Sequence, residues 1–304
     1  MPSFETPDPI SVTVELGVGD IQIEAGDRTD TIVHVRPSDP SKQGDVIAAE
    51  QTRVEFANGR LVIGAPRGWR HWSPWGGGES IGVKIDLPTG SRVAGEAGVA
   101  ALRCSGRIGE CRYRTGAGDI HLEEAGPVAL KAGAGEVTVD AVVGKAEIKT
   151  AGAVRIGSVD GPAVVRNTNG DTWIGEVTGD ARVHAANGGI SIDLARATVA
   201  ARTANGPVRI GDVASGAVHV QSAFGAVDVG IRDGAAAWLD LDTKFGSVQN
   251  DLDAAEAPPP GEDVVEVHAH TAYGDIRIRR APSAERSPVT VDSAGSRRPQ
   301  GGTS

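Results

Sequence analysis

Large side chains are scarce in this sequence. Its 304 residues include one methionine, four phenylalanines, two tyrosines and five tryptophans, too few to fill the broad core of an ordinary globular domain of this length. No window sustains a 3.6-residue apolar period, which excludes a helical bundle. Nowhere do 18 apolar residues follow one another, so no membrane-spanning helix is expected. The opening Met1-Pro-Ser-Phe-Glu-Thr-Pro-Asp8 has neither a basic stretch nor an apolar run; no signal peptide is expected, and the cytoplasm is the expected compartment. Cys104 and Cys111 are the only cysteines. Their spacing fits no zinc or redox pattern, so free thiols are expected. The Gly-x-Ser-x-Gly elbow, His-Glu-x-x-His, a Walker loop and the calcium nonapeptide are all missing, and with them the common signatures of hydrolases, metalloproteases, nucleotidases and calcium repeats. Gly116-Ala-Gly118-Asp-Ile superficially suggests a phosphate loop, but no helix follows to receive an anion. Lysine is scarce too, six against 24 arginines, and with abundant Ala and Gly this points to a bacterium with G+C-rich DNA.

What is plentiful is glycine, 42 residues, and it is periodic. Nine times between Gly118 and Gly274 one phrase recurs: a small or turn-forming residue, a glycine, then an apolar-x-apolar alternation. The glycines at 118, 135, 152, 170, 188, 206, 225, 246 and 274 stand 17 to 21 residues apart before a final gap of 28. Alternation with period two marks a half-buried strand. Positions +2 and +4 from each glycine form an inward column from Ile120/Leu122, Val137/Val139 and Val154/Ile156 down to Val248/Asn250 and Ile276/Ile278, with Thr172 and Asn250 as its exceptions.

A second strand precedes each glycine, as in Val128-Ala-Leu-Lys-Ala132 and Ala181-Arg-Val-His-Ala185. Small inward residues close it: Ala132, Asn167, Ala185, Thr203, Ser222, Thr243 and Thr271. Corners follow at Asn169-Gly170, Asn187-Gly188 and Asn205-Gly206. In the third repeat the upstream strand sits one residue closer to its glycine, which puts Ile148 inward. A unit of about 18 residues cannot bury its apolar face alone, but coils stacked about 4.8 Å apart enclose a continuous narrow core. The expected fold is therefore an all-β, single-chain β-solenoid of about nine to ten two-strand coils over residues 96–280. Residues 1–95, rich in turn signals, are expected as antiparallel strands capping the first coil. The insertion with Pro258, Pro259 and Pro260 reads as a loop and residues 281–304 as a disordered tail.

Val83-Lys-Ile-Asp-Leu-Pro-Thr-Gly90, Leu239-Asp-Leu-Asp-Thr-Lys-Phe-Gly-Ser-Val-Gln-Asn-Asp-Leu252 and Thr271-Ala-Tyr-Gly-Asp-Ile-Arg-Ile278 resemble the bacterial putative-adhesin family of β-strand-repeat domains. The resemblance spans roughly residues 10 to 280. It implies the repeat fold and an adhesin-like role in holding partners inside the cell, and it implies no reaction, cofactor or catalytic residue.

Sites read from the residues are correspondingly few. A carbohydrate-active β-helix needs paired carboxylates on adjacent coils. Asp119 over Glu136 and Glu123 over Asp140 are the best pairs, yet they bracket corners where acids are ordinary turn residues. His268 and His270 are expected beside Asp240 and Asp242, with His219 one coil away, as a divalent-metal arrangement or as a plain cross-strand ladder. Lys131, Lys149, Arg166, Arg182, His184, Arg202 and His219 form an outward basic stripe on a chain of formal net charge -10 and pI about 5.2. Such a stripe suits an anionic polymer or an acidic protein, or is a solvated sheet face. Nucleic acid is not expected, because no aromatics are interleaved. Trp69, Trp72 and Trp75, crowded into a Gly-rich loop, serve either as a lid over one end or as an interface anchor. The functional expectation is a non-catalytic, monomeric scaffold without cofactor. A cytoplasmic filament scaffold resembling bactofilins and a carbohydrate-active β-helix are the alternatives.

Overall fold

In the computed structural model residues 2–64, 79–252 and 264–282 are described, and they are all-β apart from one short helix. The architecture is the expected solenoid-like one. Each repeat lays one strand into each of two parallel ladders, for example Val128–Ala134 and Val137–Val143, then Ala146–Thr150 and Val154–Asp160. Registers keep equivalent residues side by side: Ile120, Val137 and Val154 are successive partners, as are Leu122, Val139 and Ile156. All six are at most 2% exposed and belong to one continuous apolar column. Residues of different coils thus bury one another, and no coil has a core of its own.

The slip in the third repeat is present. Thr150 pairs with Ala132, 18 residues back, whereas Val154 pairs with Val137, 17 residues back. The corner is one residue shorter, and Ile148 is buried.

The small residues that close the upstream strands have a shared task. The hydroxyls of Thr150, Thr203, Ser222 and Thr271 donate to the carbonyls of Gly135, Gly188, Gly206 and Gly225 at 3.0 to 3.1 Å. At this position Asn167 differs. Its amide nitrogen donates to the Gly170 carbonyl at 2.7 Å and to the Thr172 hydroxyl at 3.3 Å, which explains Thr172 in the apolar column. Asn167 Oδ1 is buried without a partner. An orphaned buried acceptor costs about 1–3 kcal/mol, so Asn167→Thr is expected to stabilise the protein by about 1 kcal/mol and raise Tm by a few degrees. A calorimetric melt in which Tm falls would contradict this account.

At the C-terminal end the spatial order departs from the chain order. Strand Val264–Tyr273 lies between Ala217–Phe224 and Ala236–Phe245, parallel to both, and Ile276–Arg280 lies between Val227–Ile231 and Val248–Asn250. The last repeat is inserted, and the one before it becomes the end row. Val248 and Asn250, expected inward, are therefore exposed, whereas Val265, Val267, Ala269, Ile276 and Ile278 are fully buried.

The N-terminal segment also departs from expectation. Among the described residues antiparallel pairing is confined to Ser3–Glu5 with Asp30–Pro37, Asp30–Pro37 with Ser80–Pro88, and the hairpin Arg53–Ala57/Arg60–Gly64, which turns at Asn58-Gly59 with both φ positive. Strand Ser11–Gly26 instead runs parallel to Arg92–Ile108 on one side and to Arg60–Gly64 and Ser80–Pro88 on the other. It is a row of the stack. A nine-residue helix, Gln43–Gln51, was not expected. Its anchor is the buried Asp45, whose carboxylate accepts from the amides of Asp39 at 3.0 Å and Ser80 at 2.9 Å.

Cys104 and Cys111 are free and buried in the column. Burial pushes the Cys111 thiol up to about 12 and raises Cys104 well above its ordinary value. Both are packing groups and not nucleophiles.

Candidate functional site

The ladder registers resolve the basic stripe into files. Lys131, Lys149, Arg166, His184 and Arg202 are successive cross-strand partners, one per row, all exposed. Arg114, which the repeat pattern left out, heads the same file as the partner of Lys131. Its signal was present in Cys111-Arg-Tyr-Arg-Thr-Gly116, the upstream strand of the first repeat. Arg182 and His219 stand apart from this file. They belong to the neighbouring one, separated there by Ala200.

Among the described residues none of Arg114, Lys131, Lys149, Arg166, His184 and Arg202 makes an ion pair or a side-chain hydrogen bond. Elsewhere some exposed cations are held, Arg196 by Glu176 at 2.6 Å, Arg232 by Asp212 at 2.6 Å and Arg277 by Asp251 at 2.7 Å, whereas Arg60, Arg92, Arg103 and Arg209 are exposed and make no ion pair among the described residues. In the adjacent file Arg112 pairs with Glu110 at 2.6 Å and Glu147 with Lys145 at 2.9 Å. The hydrogen bond from Lys145 is the main reason that the Glu147 carboxyl sits below its ordinary range.

Beyond Arg202 the file continues as Gln221, His270 and Asp242. Here a depression of about 190 Å³ is lined by Arg202, His219, Val220, Gln221, His268 and His270. The His219 and His268 rings stack at 4.8 Å, Trp238 tilts against His268 at 5.2 Å, and His268 Nδ1 lies 3.2 Å from Asp240 Oδ2. The expected neighbourhood of His268, His270, Asp240 and Asp242 is real, and it has the form of a cross-strand ladder. Among the described residues no three His, Cys, Asp or Glu side chains converge on a point that would suit a metal ion.

Two of the four carboxylates considered for catalysis, Asp119 and Glu123, hold backbone. Asp119 accepts from the Glu136 amide at 2.9 Å and Glu123 from the Gly106 amide at 2.7 Å, and Asp171, a corner residue of a later repeat, does the same from the Gly189 amide at 2.7 Å. They bridge corners of neighbouring rows and do not face one another across a cleft. A larger depression of about 320 Å³ near Asp20, Arg36 and Lys84 is similarly self-satisfied, because Lys84 is bound by Glu24 at 2.9 Å.

Of the tryptophans, Trp69, Trp72 and Trp75 lie outside the described residues. Trp173 sits on the other ladder, donating to Asp193 at 3.0 Å beneath the Arg155 guanidinium. Trp238 is 54% exposed on the end row. The opposite end of the same strand reaches a corner where Phe224, Tyr273 and Phe245 stack at 4.9 and 4.8 Å, the aromatic continuation of an asparagine ladder through Asn169, Asn187 and Asn205. No helix among the described residues is long and apolar enough to cross a membrane.

Several solved structures are similar to this chain. One is described as a putative adhesin from Parabacteroides merdae, with 14% identity over 76% of this chain and 94% of that one and a TM-score of 0.45. Another, called a putative lipid binding protein, comes from Parabacteroides distasonis, with 14% identity over 91% and 95% and a TM-score of 0.45. A third, a putative adhesin from Bacteroides fragilis, has 9% identity over 91% and 95% and a TM-score of 0.35. No curated protein is significantly similar. The Toastrack DUF4097 family model, in contrast, matches residues 9–297, the whole repeat array together with most of the strands that precede it, and the chain belongs to that family.

Proposed function

We propose that the protein is a non-catalytic interaction scaffold that holds an anionic partner on its cationic file. One observation carries this reading: six cationic or protonatable side chains stand on six consecutive rows as direct cross-strand partners, with no ion pair among the described residues, on a chain of net charge -10. Aligned positive charge on a rigid ladder creates a local potential opposite in sign to that of the whole molecule. The adhesin names of the structural neighbours are consistent with a binding role. An aligned cationic file can hold an anionic partner on either side of a membrane, so this reading does not require the cytoplasm.

The test is cation-exchange chromatography at pH 7 and low salt. The acidic wild-type chain is expected to be retained on a sulfonate resin and the Lys149→Glu/Arg166→Glu variant to flow through. A wild-type chain that also flows through would remove the reading.

End-to-end association is a second reading, favoured by the exposed Trp238, Phe245 and Val248 on the end row. Sedimentation velocity over a concentration series decides it: a single monomer boundary at every concentration excludes it.

A further inference from the structure

We propose that residues 288–295 add one more strand to the stack, seated on the open edge of Ala236–Phe245 and closing the C-terminal end. The two ends of the array differ. At the N-terminal end the parallel rows stop against antiparallel strands, Arg53–Ala57 on one ladder and Asp30–Pro37 on the other. At the C-terminal end, among the described residues, Ala236–Phe245 pairs with Val264–Tyr273 alone. Its Leu239 and Leu241 continue the apolar column yet are only half-buried, whereas their partners Val267 and Ala269 are 0% exposed. An edge with apolar side chains and unpaired amides invites cover by a further strand.

The chain itself carries a matching phrase. Residues 288–295 lie outside the described residues, and they read Pro288-Val-Thr-Val-Asp-Ser-Ala-Gly295. This is the upstream-strand pattern of Val218-His-Val-Gln-Ser-Ala-Phe-Gly225, apolar-x-apolar-x-hydroxyl and then the corner glycine. Its corner is one residue shorter, as at Thr150-Ala-Gly152. Proline also precedes the first inward residue in two other repeats, Pro127 before Val128 and Pro162 before Ala163. There it serves the ladder through its carbonyl, which accepts from the amide of Cys111 or of Ala146 in the preceding row at 3.0 Å. Leu239 is the register equivalent of Cys111 and Ala146, so its amide points to the open edge, where the Pro288 carbonyl would accept it.

In this register Val289, Val291 and Ser293 stand over Leu239, Leu241 and Thr243. The Ser293 hydroxyl then reaches the Gly246 carbonyl, as Thr243 reaches Gly274 and Thr271 reaches Gly225. Chain length agrees. Leu239 follows Val229 by ten residues and climbs two rows, because Val264–Tyr273 lies between. Val289 follows Ile278, the partner of Val229, by eleven residues for the same climb. The stretch matched by the family model runs past Gly295 to residue 297. A strand tethered so closely has a millimolar effective concentration, which favours it over a second copy. One neighbour is unfavourable, Asp292 beside Asp242. Being terminal, the strand can lift off without unfolding the rows beneath it. The strand takes the place of the disordered tail expected over these residues. The inference does not rest on the cationic file, and it competes with end-to-end association, since the seated strand occupies the edge a second copy would need.

Amide exchange of the full chain, followed residue by residue by NMR, tests this. The amides of Leu239, Leu241 and Thr243 face the proposed strand, and those of Asp240 and Asp242 face Val264–Tyr273, as the Glu266 amide faces Gly216 in the row before it. The first three are expected to be protected in the wild-type chain at every protein concentration. Val289→Asp/Val291→Asp is expected to speed their exchange at least about 10-fold and to leave Asp240 and Asp242 unchanged. Asp292→Lys, which removes the repulsion, is expected to slow the three amides further. Free exchange at the three amides in the wild-type chain overturns the proposal, as does protection that the double substitution leaves in place. Protection that grows with protein concentration assigns the edge to a second copy and overturns it as well. If the double substitution also exposes Asp240 and Asp242, Asp292→Lys decides: exchange at the three amides that is unchanged or faster overturns the proposal.

Discussion

Val267→Asp is expected to destabilise the protein by at least about 4 kcal/mol, and Leu239→Asp by no more than about 1 to 2. The two residues are direct cross-strand partners and equivalent in their repeats. They differ in where their rows sit. Val267 is 0% exposed on a strand flanked on both sides, so a carboxylate there is taken from water with no counter-charge. Leu239 is half-buried on a strand that, among the described residues, has a neighbour on one side only, and an aspartate there can turn toward solvent. If repeats were stacked in chain order the ranking would reverse, with Leu239 central and Val267 terminal. Chemical denaturation of the two variants, read as midpoints at constant m, therefore tests the inserted topology itself. A larger loss for Leu239→Asp would show that the strand order is wrong.

The inward column was legible because its cause is local: glycine, corner and alternation all lie within one repeat, and neighbouring repeats obey the same steric rule. Ile120 through Val229 and Ile276/Ile278 follow it. The failure at Val248 and Asn250 has a different origin. Alternation tells which face of a strand is apolar and nothing about which row is last, and that order is set by long-range pairing of 264–280 with 217–231. The 28-residue gap before Gly274 was the sequence trace of that detour. The N-terminal row was missed for a smaller reason. Gly19-Asp-Ile-Gln-Ile23 is the repeat phrase itself, with Gly19 at φ 154, but it sits alone, 99 residues before the next strict copy at Gly118. The helix at Gln43–Gln51 carries almost no amphipathic pattern, since only Asp45 and Ala48 are buried, and a buried acid reads as a surface residue.

The basic stripe was visible as a list, but its division into files was not. Lys131, Lys149, Arg166, His184 and Arg202 share a file because the corner deletion before Gly152 leaves the register of the upstream ladder intact. Arg182 is two residues displaced along its strand and so falls beside Ala200 instead of Arg202. A two-residue offset along a strand is about 6.6 Å, enough to remove a charge from the file while leaving it on the same face.

A large single-residue backbone effect is expected at Gly188. Its φ of 132 lies where side-chain-bearing residues are rarely found, and a Cβ would fall onto the Gly170 carbonyl of the preceding row. Gly188→Val combines backbone strain of about 1–3 kcal/mol with a steric clash of similar size, and it is expected to lower stability by roughly 3–5 kcal/mol. Gly189 is the control one residue away. Its φ is not positive, a Cβ there meets Pro207 and Asp171 at ordinary contact distances of 3.4 and 3.5 Å, and other repeats carry Asp119, Glu136 or Ala153 at the equivalent place. Gly189→Ala is expected to be neutral or stabilising by up to about 1 kcal/mol, because it restricts the unfolded chain. Urea unfolding of the pair separates two meanings of a glycine-rich corner. If both substitutions are tolerated, the corners are merely flexible and the close row-to-row approach is not what selects glycine. If only Gly188→Val fails, the recurrent glycine is the residue that lets the rows approach closely enough to place the cationic side chains one strand spacing apart.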